Sequence, residues 1–172
     1  MKKLSILLIA AAMLSFTSCG GGKEAPQQDA ASQEAAQAAV QDGVKYEGDN
    51  YTITYPKGWQ ETSGFGDMLN AMSADGEMEL IANYQDDGPA ISELSTYATN
   101  LKAFHQNGKL EEPVFNDKVM TMKAVDEGNV EIHFAVMKED KKGVIGSLKF
   151  PEAKSSDADA ILQGILGSIV FK

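Results

Sequence analysis

The sequence predicts an α+β domain, built on an antiparallel β-sheet with helices packed against it. Two observations lead to this prediction. Short runs of alternating polar and apolar residues recur between turn signals, which is the period of half-buried strands in an antiparallel sheet. Two other segments, one in the middle of the chain and one near its C-terminus, have apolar residues at helical spacing. The 172 residues are enough for one such domain.

The N-terminal segment resembles a bacterial lipoprotein signal that ends at the only cysteine, Cys19. Lys2 and Lys3 form a positive start, the apolar run that follows is too short to span a bilayer, and small residues precede the cysteine. Phe16 is a departure, since leucine is usual at its position. The resemblance implies removal of residues 1–18 and lipidation of Cys19. The alternative is a secreted protein with one free cysteine.

The composition argues against several classes of function. The formal charge of −10 becomes −12 when Lys2 and Lys3 leave with the signal, which contains no acidic residue. All 15 basic residues are lysine, so the chain lacks the guanidinium fork that grips phosphate. Nucleic-acid binding is therefore not expected, and the lipid is the expected membrane contact. With Cys19 lipidated, no thiol remains for a disulfide, a zinc–thiolate site or a nucleophile.

Residues 19–42 are predicted to form a flexible tether. They are rich in Ala, Gln and Gly and contain no aromatic residue, so they cannot bury a core face. The Ala-rich part, residues 30–40, has good helix propensity but no apolar stripe. The globular domain is therefore expected to occupy residues 43–172.

The first elements of the domain are predicted to be strands. Val44–Glu47 and Tyr51–Tyr55 alternate polar and apolar residues on either side of a turn. Trp59, the only tryptophan, is expected to fold back onto the sheet as a core anchor. Further along, Asp75-Gly76 lies between two alternating runs and predicts a hairpin with these two residues as its loop.

The run from Tyr51 to Trp59 is similar to the opening strand of the PsbP-like superfamily, which comprises extrinsic photosystem proteins and related envelope lipoproteins. Residues 167–171 resemble the closing segment of the same domains. The resemblance implies an α/β/α sandwich, in which helices cover both faces of an antiparallel sheet. It also implies an accessory or binding module without catalysis, although a fold by itself assigns no activity.

Two helices are predicted. The first covers Ser92–Asn107, with Gly108 as its C-cap residue. Its apolar stripe is expected to contain Leu94, Tyr97, Ala98, Leu101, Phe104 and His105. The second opens with a capping-box pattern at residues 156–159. Its inward positions are expected to be Ala158, Ile161, Leu162 and Ile165.

A three-stranded meander is predicted between the helices. Its strands are expected at residues 118–126, 130–138 and 144–150. If residues 127–129 form the first loop, Met122 faces Phe134, and Leu148 lies beside Phe134 across the second loop. This register collects the apolar side chains on one face of the meander.

In the same register Lys123, His133 and Lys149 lie side by side on the opposite face. They form the only concentration of positive charge that the pattern predicts in this acidic chain. Such a patch suits an anionic ligand or an acidic partner segment, and Glu131 on the same face offsets part of its charge. The alternative is an ordinary solvated face whose lysine heads reach water.

No pattern in the sequence predicts a catalytic residue, a cofactor or a metal site. Triad, nucleophile-elbow and phosphate-loop motifs are missing from the sequence. Met120-Thr121-Met122 has the spacing of soft copper ligands, but the predicted register puts His133 and Met137 on the other face from these methionines. Core packing is therefore their expected role.

These inferences favour a lipid-anchored, non-catalytic binding or assembly module of the bacterial cell envelope. The resemblances place its domain in the periplasm or at the cell surface, anchored to the outer membrane, with a protein partner. One alternative is a lipoprotein that binds a small ligand or a metal in association with transport. A third reading, from a different class, is an envelope hydrolase.

Overall fold

The computed structural model of the chain describes residues 39–105 and 108–172. The predictions for Cys19, for the signal segment and for the tether up to residue 38 lie outside the described residues. Within them, the chain is an α+β protein with antiparallel sheets and two helices packed against the sheets, as predicted. None of the helices in this part of the chain is long and apolar enough to cross a membrane.

The strands and helices of the described residues have the following bounds. The strands are β1 (Val44–Glu47), β2 (Tyr51–Tyr55), β3 (Gln60–Phe65), β4 (Met68–Met72), β5 (Glu79–Gln85), β6 (Lys109–Leu110), β7 (Val114–Asn116), β8 (Val119–Asp126), β9 (Asn129–Glu139), β10 (Lys142–Pro151) and β11 (Val170–Phe171). The helices are α1 (Leu94–Lys102) and α2 (Ser155–Ser168), and a single 3-10 turn precedes each of them. The sequence pattern missed β3 and β7 because all of their residues are exposed, so that they show no alternation of burial.

Two antiparallel sheets are formed. The larger one has the order β3-β4-β5-β10-β9-β8-β6, and β7 pairs with β8 as its eighth strand. The smaller one has the order β1-β2-β11. One face of the large sheet packs against α1, and we call it the α1 face. The other, the α2 face, packs against α2 and strand β2 of the small sheet. Helices therefore cover both faces of the large sheet.

The main hydrophobic core lies on the α2 face. Phe134, Leu148 and Phe150 of the large sheet are fully buried there. They belong to one cluster with Tyr51 of β2 and with all four predicted inward residues of α2. Trp59 packs against this cluster but is only partly buried, so it lies at the margin of the core.

The core extends beyond the predicted domain boundary at residue 43. Residues 39–41 are helical, and Val40 is 2% exposed within the main core. A Cβ placed on Gly164 of α2 would lie 2.9 Å from the Cβ of Val40, so this helical turn packs closely on α2. The sequence did not predict this contact, because a single apolar residue in an Ala-rich segment shows no hydrophobic periodicity.

The predicted hairpin at Asp75-Gly76 has the predicted register, but its loop is longer than these two residues, because β4 ends at Met72 and β5 begins at Glu79. Ala71 pairs with Leu80, and the backbone amide of Ser73 donates a hydrogen bond to Met78 O at 2.9 Å. Gly76 has a φ of +73°, a conformation that residues with a Cβ rarely adopt.

The predicted register between β8 and β9 is wrong by one residue. Asp126 pairs with Asn129, so the loop contains only Glu127 and Gly128, with φ angles of 49° and 80°. Two successive positive φ angles are typical of the type I′ turn, whose twist matches that of the flanking strands. Met122 consequently faces His133 instead of Phe134.

The predicted register between β9 and β10 is also wrong, here by two residues. Leu148 pairs with Ile132 and not with Phe134. Because side chains alternate with a period of two, the apolar residues of β10 remain on the α2 face despite this error.

The first helix is shorter than predicted. It ends at Lys102 with Ala103 as the C-cap residue, so the predicted cap at Gly108 is wrong, and Asn107 lies outside the described residues. Phe104 is 80% exposed and does not belong to the buried stripe. The chain leaves the helix early because it returns to the sheet at β6, where Lys109 pairs with Val125.

The turn between β8 and β9 gives a test of the corrected register. Glu127 holds a positive φ that disfavours side chains other than those of Asn, Asp and Gly. Glu127→Asn should therefore raise the free energy of unfolding by about 0.5 to 1 kcal/mol. Urea denaturation measures this change, and a lower stability of the variant would contradict the two-residue turn.

A second pair of variants tests the position of the core. Phe134 is fully buried, and Phe134→Ala should cost about 3 to 5 kcal/mol of stability, because it leaves a cavity. Phe65 is 84% exposed, and Phe65→Ala is the matched control, expected to change stability by no more than about 0.5 kcal/mol. Equal losses in the two variants, measured by urea denaturation, would show that the core is placed incorrectly.

Candidate functional site

The corrected register places two polar residues of β9 beneath α1. Glu131 and His133 pair across the sheet with Ala124 and Met122 of β8. Cross-strand partners project to the same face, and Met122 belongs to the cluster that packs against α1. The side chains of Glu131 and His133 therefore lie on the α1 face of the sheet.

His105 reaches the same place from the other side. Helix α1 is held on the sheet by the buried side chains of Leu94, Ala98 and Leu101. After the helix, the backbone amide of His105 donates to Lys102 O at 3.3 Å, which keeps the chain close to the helix end. These contacts place the imidazole of His105 above β9.

The three residues form a compact cluster, which we call the histidine cluster: His105, Glu131 and His133. The Nε2 atoms of the two histidines are 2.8 Å apart, and their ring centroids are separated by 5.0 Å at an interplanar angle of 57°. Glu131 Oε1 lies 3.9 Å from His133 Nδ1. One potential ligand atom from each residue lies within 4.8 Å of the others. Groups at this spacing can share one metal ion.

Burial determines the charge state of His133. Its side chain is 14% exposed, and that of Glu131 is 29% exposed. Desolvation by burial lowers the pKa of His133, Glu131 opposes this shift, and His105 adds to it. The lower pKa favours a neutral imidazole, which keeps a lone pair on one ring nitrogen. Such a nitrogen can accept a hydrogen bond or coordinate a metal.

An open cleft of about 180 Å³ lies beside the histidine cluster. His105 and Glu131 contribute to its wall. Its other lining residues are Ala124, Asp126, Glu127, Asn129, Val130 and Lys149. Three carboxyl groups and one ammonium group therefore face the cleft, which gives it a net preference for cations or for neutral polar groups.

The predicted patch of Lys123, His133 and Lys149 does not form. Lys123 pairs with Ile132 and projects to the α2 face, where its Nζ lies 4.0 Å from Glu111 Oε1. His133 and Lys149 remain together on the α1 face. The patch was an error of register, because a shift of one residue moves every side chain of a strand to the opposite face.

The same error led to a wrong conclusion about the methionines. Met120, Met122 and Met137 all belong to the cluster on the α1 face, the face on which His133 lies. Met120 and Met122 therefore lie on the same face as His133, contrary to the prediction. Their exposed fractions are 3% or less, and they pack against α1, as core methionines do.

The sequence pattern placed Glu131 on the same face as His133 but did not bring His105 to them. His105 was expected at the end of a longer helix, and Glu131 was treated as a compensating charge. They lie 26 residues apart in the sequence, so only the end of α1 together with the corrected register could have joined them.

Ser147 carries a hydroxyl group next to His133 in the sheet. It is the cross-strand partner of His133 on β10 and is 9% exposed. Among the described residues, its hydroxyl makes no hydrogen bond to His133, whose Nε2 faces His105 instead. The pair is therefore not arranged as a nucleophile with its general base.

The fold and the histidine cluster together define an α+β protein with antiparallel sheets, two helices and a polar cluster beneath the first helix. No protein-family model matches the chain, and a search of curated proteins finds no match either.

The lowered pKa of His133 predicts a dependence of stability on pH. The unfolded chain, with an ordinary pKa of 6.5, takes up a proton on this residue more readily than the folded chain. The free energy of unfolding should therefore fall as the pH drops below about 6.5 and stay level above it. His133→Gln should show a smaller fall.

Urea denaturation in the presence of a chelator, at about pH 7.5 and about pH 5.5, measures both proteins over this window. Glu131 and His105 face His133 and are kept in both proteins, so the comparison isolates the one ring. Equal pH dependence in the two proteins would contradict a neutral, buried His133.

Proposed function

We propose that this chain is a lipid-anchored binding module of the bacterial cell envelope, without catalytic activity, and that the cleft beside the histidine cluster is its binding site. The observation behind the proposal is the convergence of His105, Glu131 and His133 beside an open cleft. Ligand sites combine a concave surface with a few convergent polar groups, and this cleft has both features.

Membrane attachment is supported by the sequence around Cys19. A short apolar run, small residues before the cysteine and an Ala-, Gln- and Gly-rich segment up to residue 38 together match the organisation of a lipoprotein. About 20 tether residues in a flexible chain span on the order of 25 Å. In the proposed arrangement the domain stays close to the membrane, in the periplasm or at the cell surface.

Binding rather than turnover is supported by the chemistry of the cleft. The hydroxyl of Ser147 has no hydrogen bond to either ring in the described part of the chain, and the one cysteine is the proposed lipid attachment site. The two imidazoles face each other instead of a nucleophile. A site of this kind can hold a ligand without activating an attacking group.

The finer family assignment, a PsbP-like domain, is part of the proposal. The two segments that carry the resemblance are neighbours in the fold: Phe171 of β11 pairs with Tyr51 of β2. The helices also cover both faces of the large sheet, as the resemblance implies.

A protein partner is proposed as well, which leaves assembly as a second role. Phe104 is 80% exposed and directly precedes His105, so an apolar aromatic side chain lies beside the proposed site. Aromatic residues are enriched in protein interfaces, and the acidic chain without arginine is poorly suited to nucleic acid. In this proposal the contacts are the lipid, the ligand of the cleft and an envelope protein.

Replacement of Cys19 tests the anchoring. Cys19→Ala should move the protein from the membrane fraction to the soluble fraction with an unchanged melting temperature, because the tether separates the lipid from the core. Ser18→Ala keeps a small residue before the cysteine and is the matched control, expected to remain in the membrane fraction. Wild-type protein recovered soluble, and without lipid by mass spectrometry, would refute the anchoring.

A further inference from the structure

We propose that His105, Glu131 and His133 form a binding site for one divalent transition-metal ion of the zinc class. This inference rests on the proposed function, since it names the ligand of the same cleft. The three side chains offer two imidazole nitrogens and one carboxylate oxygen, a set that occurs in zinc sites with an open fourth position.

The geometry of the pair requires only a small adjustment to admit the ion. Two nitrogens bound to one tetrahedral zinc ion at about 2.0 to 2.1 Å are roughly 3.3 Å apart. The two Nε2 atoms are 2.8 Å apart, so they need to separate by about half an ångström, and the rings need to turn so that both lone pairs point at the ion and not at each other. His105 can supply this movement because it lies beyond the end of α1 at Lys102, outside the packed helix.

The donor set selects the class of metal. Calcium and magnesium prefer oxygen ligands, and their sites are not built on imidazole pairs. Copper(I) prefers sulfur, and the methionines of the α1 face are core residues packed against α1. Imidazole nitrogen with one carboxylate suits Zn²⁺, and Cu²⁺ and Ni²⁺ are the competitors with similar ligand preference.

The surroundings favour a cation. Asp126 and Glu127 line the cleft together with Glu131, whereas Lys149 is the single ammonium group there. A metal held by the cluster would have its remaining coordination position directed to this cleft, open to water or to a small ligand.

The alternative occupant of the space between the rings is a single proton. Two neutral imidazoles 2.8 Å apart can form one N–H···N hydrogen bond, with one ring donating and the other accepting. Such a pair would need no metal and would stabilise only the contact between the end of α1 and β9. Zinc binding measured directly distinguishes the two.

The experiment is a zinc titration of the full-length chain carrying Cys19→Ala, followed by calorimetry and by competition with a chromogenic zinc chelator. This variant contains no thiol, so any tight binding must come from nitrogen and oxygen ligands. It also lacks the lipid attachment point, so the result does not depend on whether the anchoring is correct. We expect one zinc ion per chain, with an affinity in the micromolar range or tighter.

Variants then assign the ligands. Zinc binding should be weakened at least about tenfold by His105→Ala, which lies beyond the end of α1, and also by Glu131→Gln. Glu127→Gln is the matched control, since it removes the same charge from the same cleft without touching the cluster, and it should weaken binding less than about threefold. Far-UV circular dichroism confirms that each variant is folded.

Three outcomes would overturn the inference. The Cys19→Ala chain keeps all three proposed ligands. If it binds no zinc at concentrations up to about 100 μM, the two histidines share only a proton. Binding that survives both His105→Ala and Glu131→Gln in folded protein would place the metal elsewhere. Equal losses of zinc affinity in Glu127→Gln and Glu131→Gln would show that only the general charge of the cleft matters. In each case the anchoring of the protein at Cys19 remains a separate question.

Discussion

The two-residue turn between β8 and β9 is the constraint on which the rest of the structure depends. Glu127 and Gly128 both adopt positive φ, so Asp126 pairs directly with Asn129. This pairing decides which side chains of β8 and β9 share a face. As a result, Phe134 lies in the main core and the side chain of His133 faces α1. A turn longer by one residue would exchange the two faces of one strand relative to the other.

Burial of both faces of the large sheet explains why the histidine cluster is protected. The α2 face is covered by α2 and β2, and the α1 face by a single short helix. Because α1 ends at Lys102, it does not reach over the whole of β9, and the polar residues His133 and Glu131 lie where the cover ends. Polar groups at such a margin are partly desolvated but still accessible from a cleft, which is the environment that ligand sites require.

The sequence allowed the elements to be predicted better than their register. Strands such as Val119–Asp126 and the inward face of α2 follow from periodicity, because half-buried elements repeat their apolar positions regularly. The hairpin at Asp75-Gly76 has a loop dipeptide specific enough to set its register. The Glu127-Gly128 loop has no such signal, since glutamate rarely takes positive φ, and a three-residue loop fitted the apolar pattern better than the observed one, which pairs Lys123 with Ile132.

The candidate site could not be predicted because its parts depend on that register and on the end of a helix. Lys123, His133 and Lys149 were grouped by an incorrect pairing, whereas His105 joins His133 only when α1 ends early. Fold class requires only that residues lie on the right face of the right element. A site requires particular atoms to lie within a few ångströms, so an error of one residue is enough to lose it.

Nuclear Overhauser effects between the Cα protons of β8 and β9 test the central claim most directly. In an antiparallel pair the Cα atoms of facing residues are alternately about 5.5 and about 4.5 Å apart, and the Cα protons come into contact only at the closer, non-hydrogen-bonded pairs. Counted from the Asp126–Asn129 pair that closes the two-residue turn, the account predicts contacts that pair Val125 with Val130 and Lys123 with Ile132. Contacts that pair Met122 with Phe134 would contradict the two-residue turn, and with it the position of His133 beneath α1.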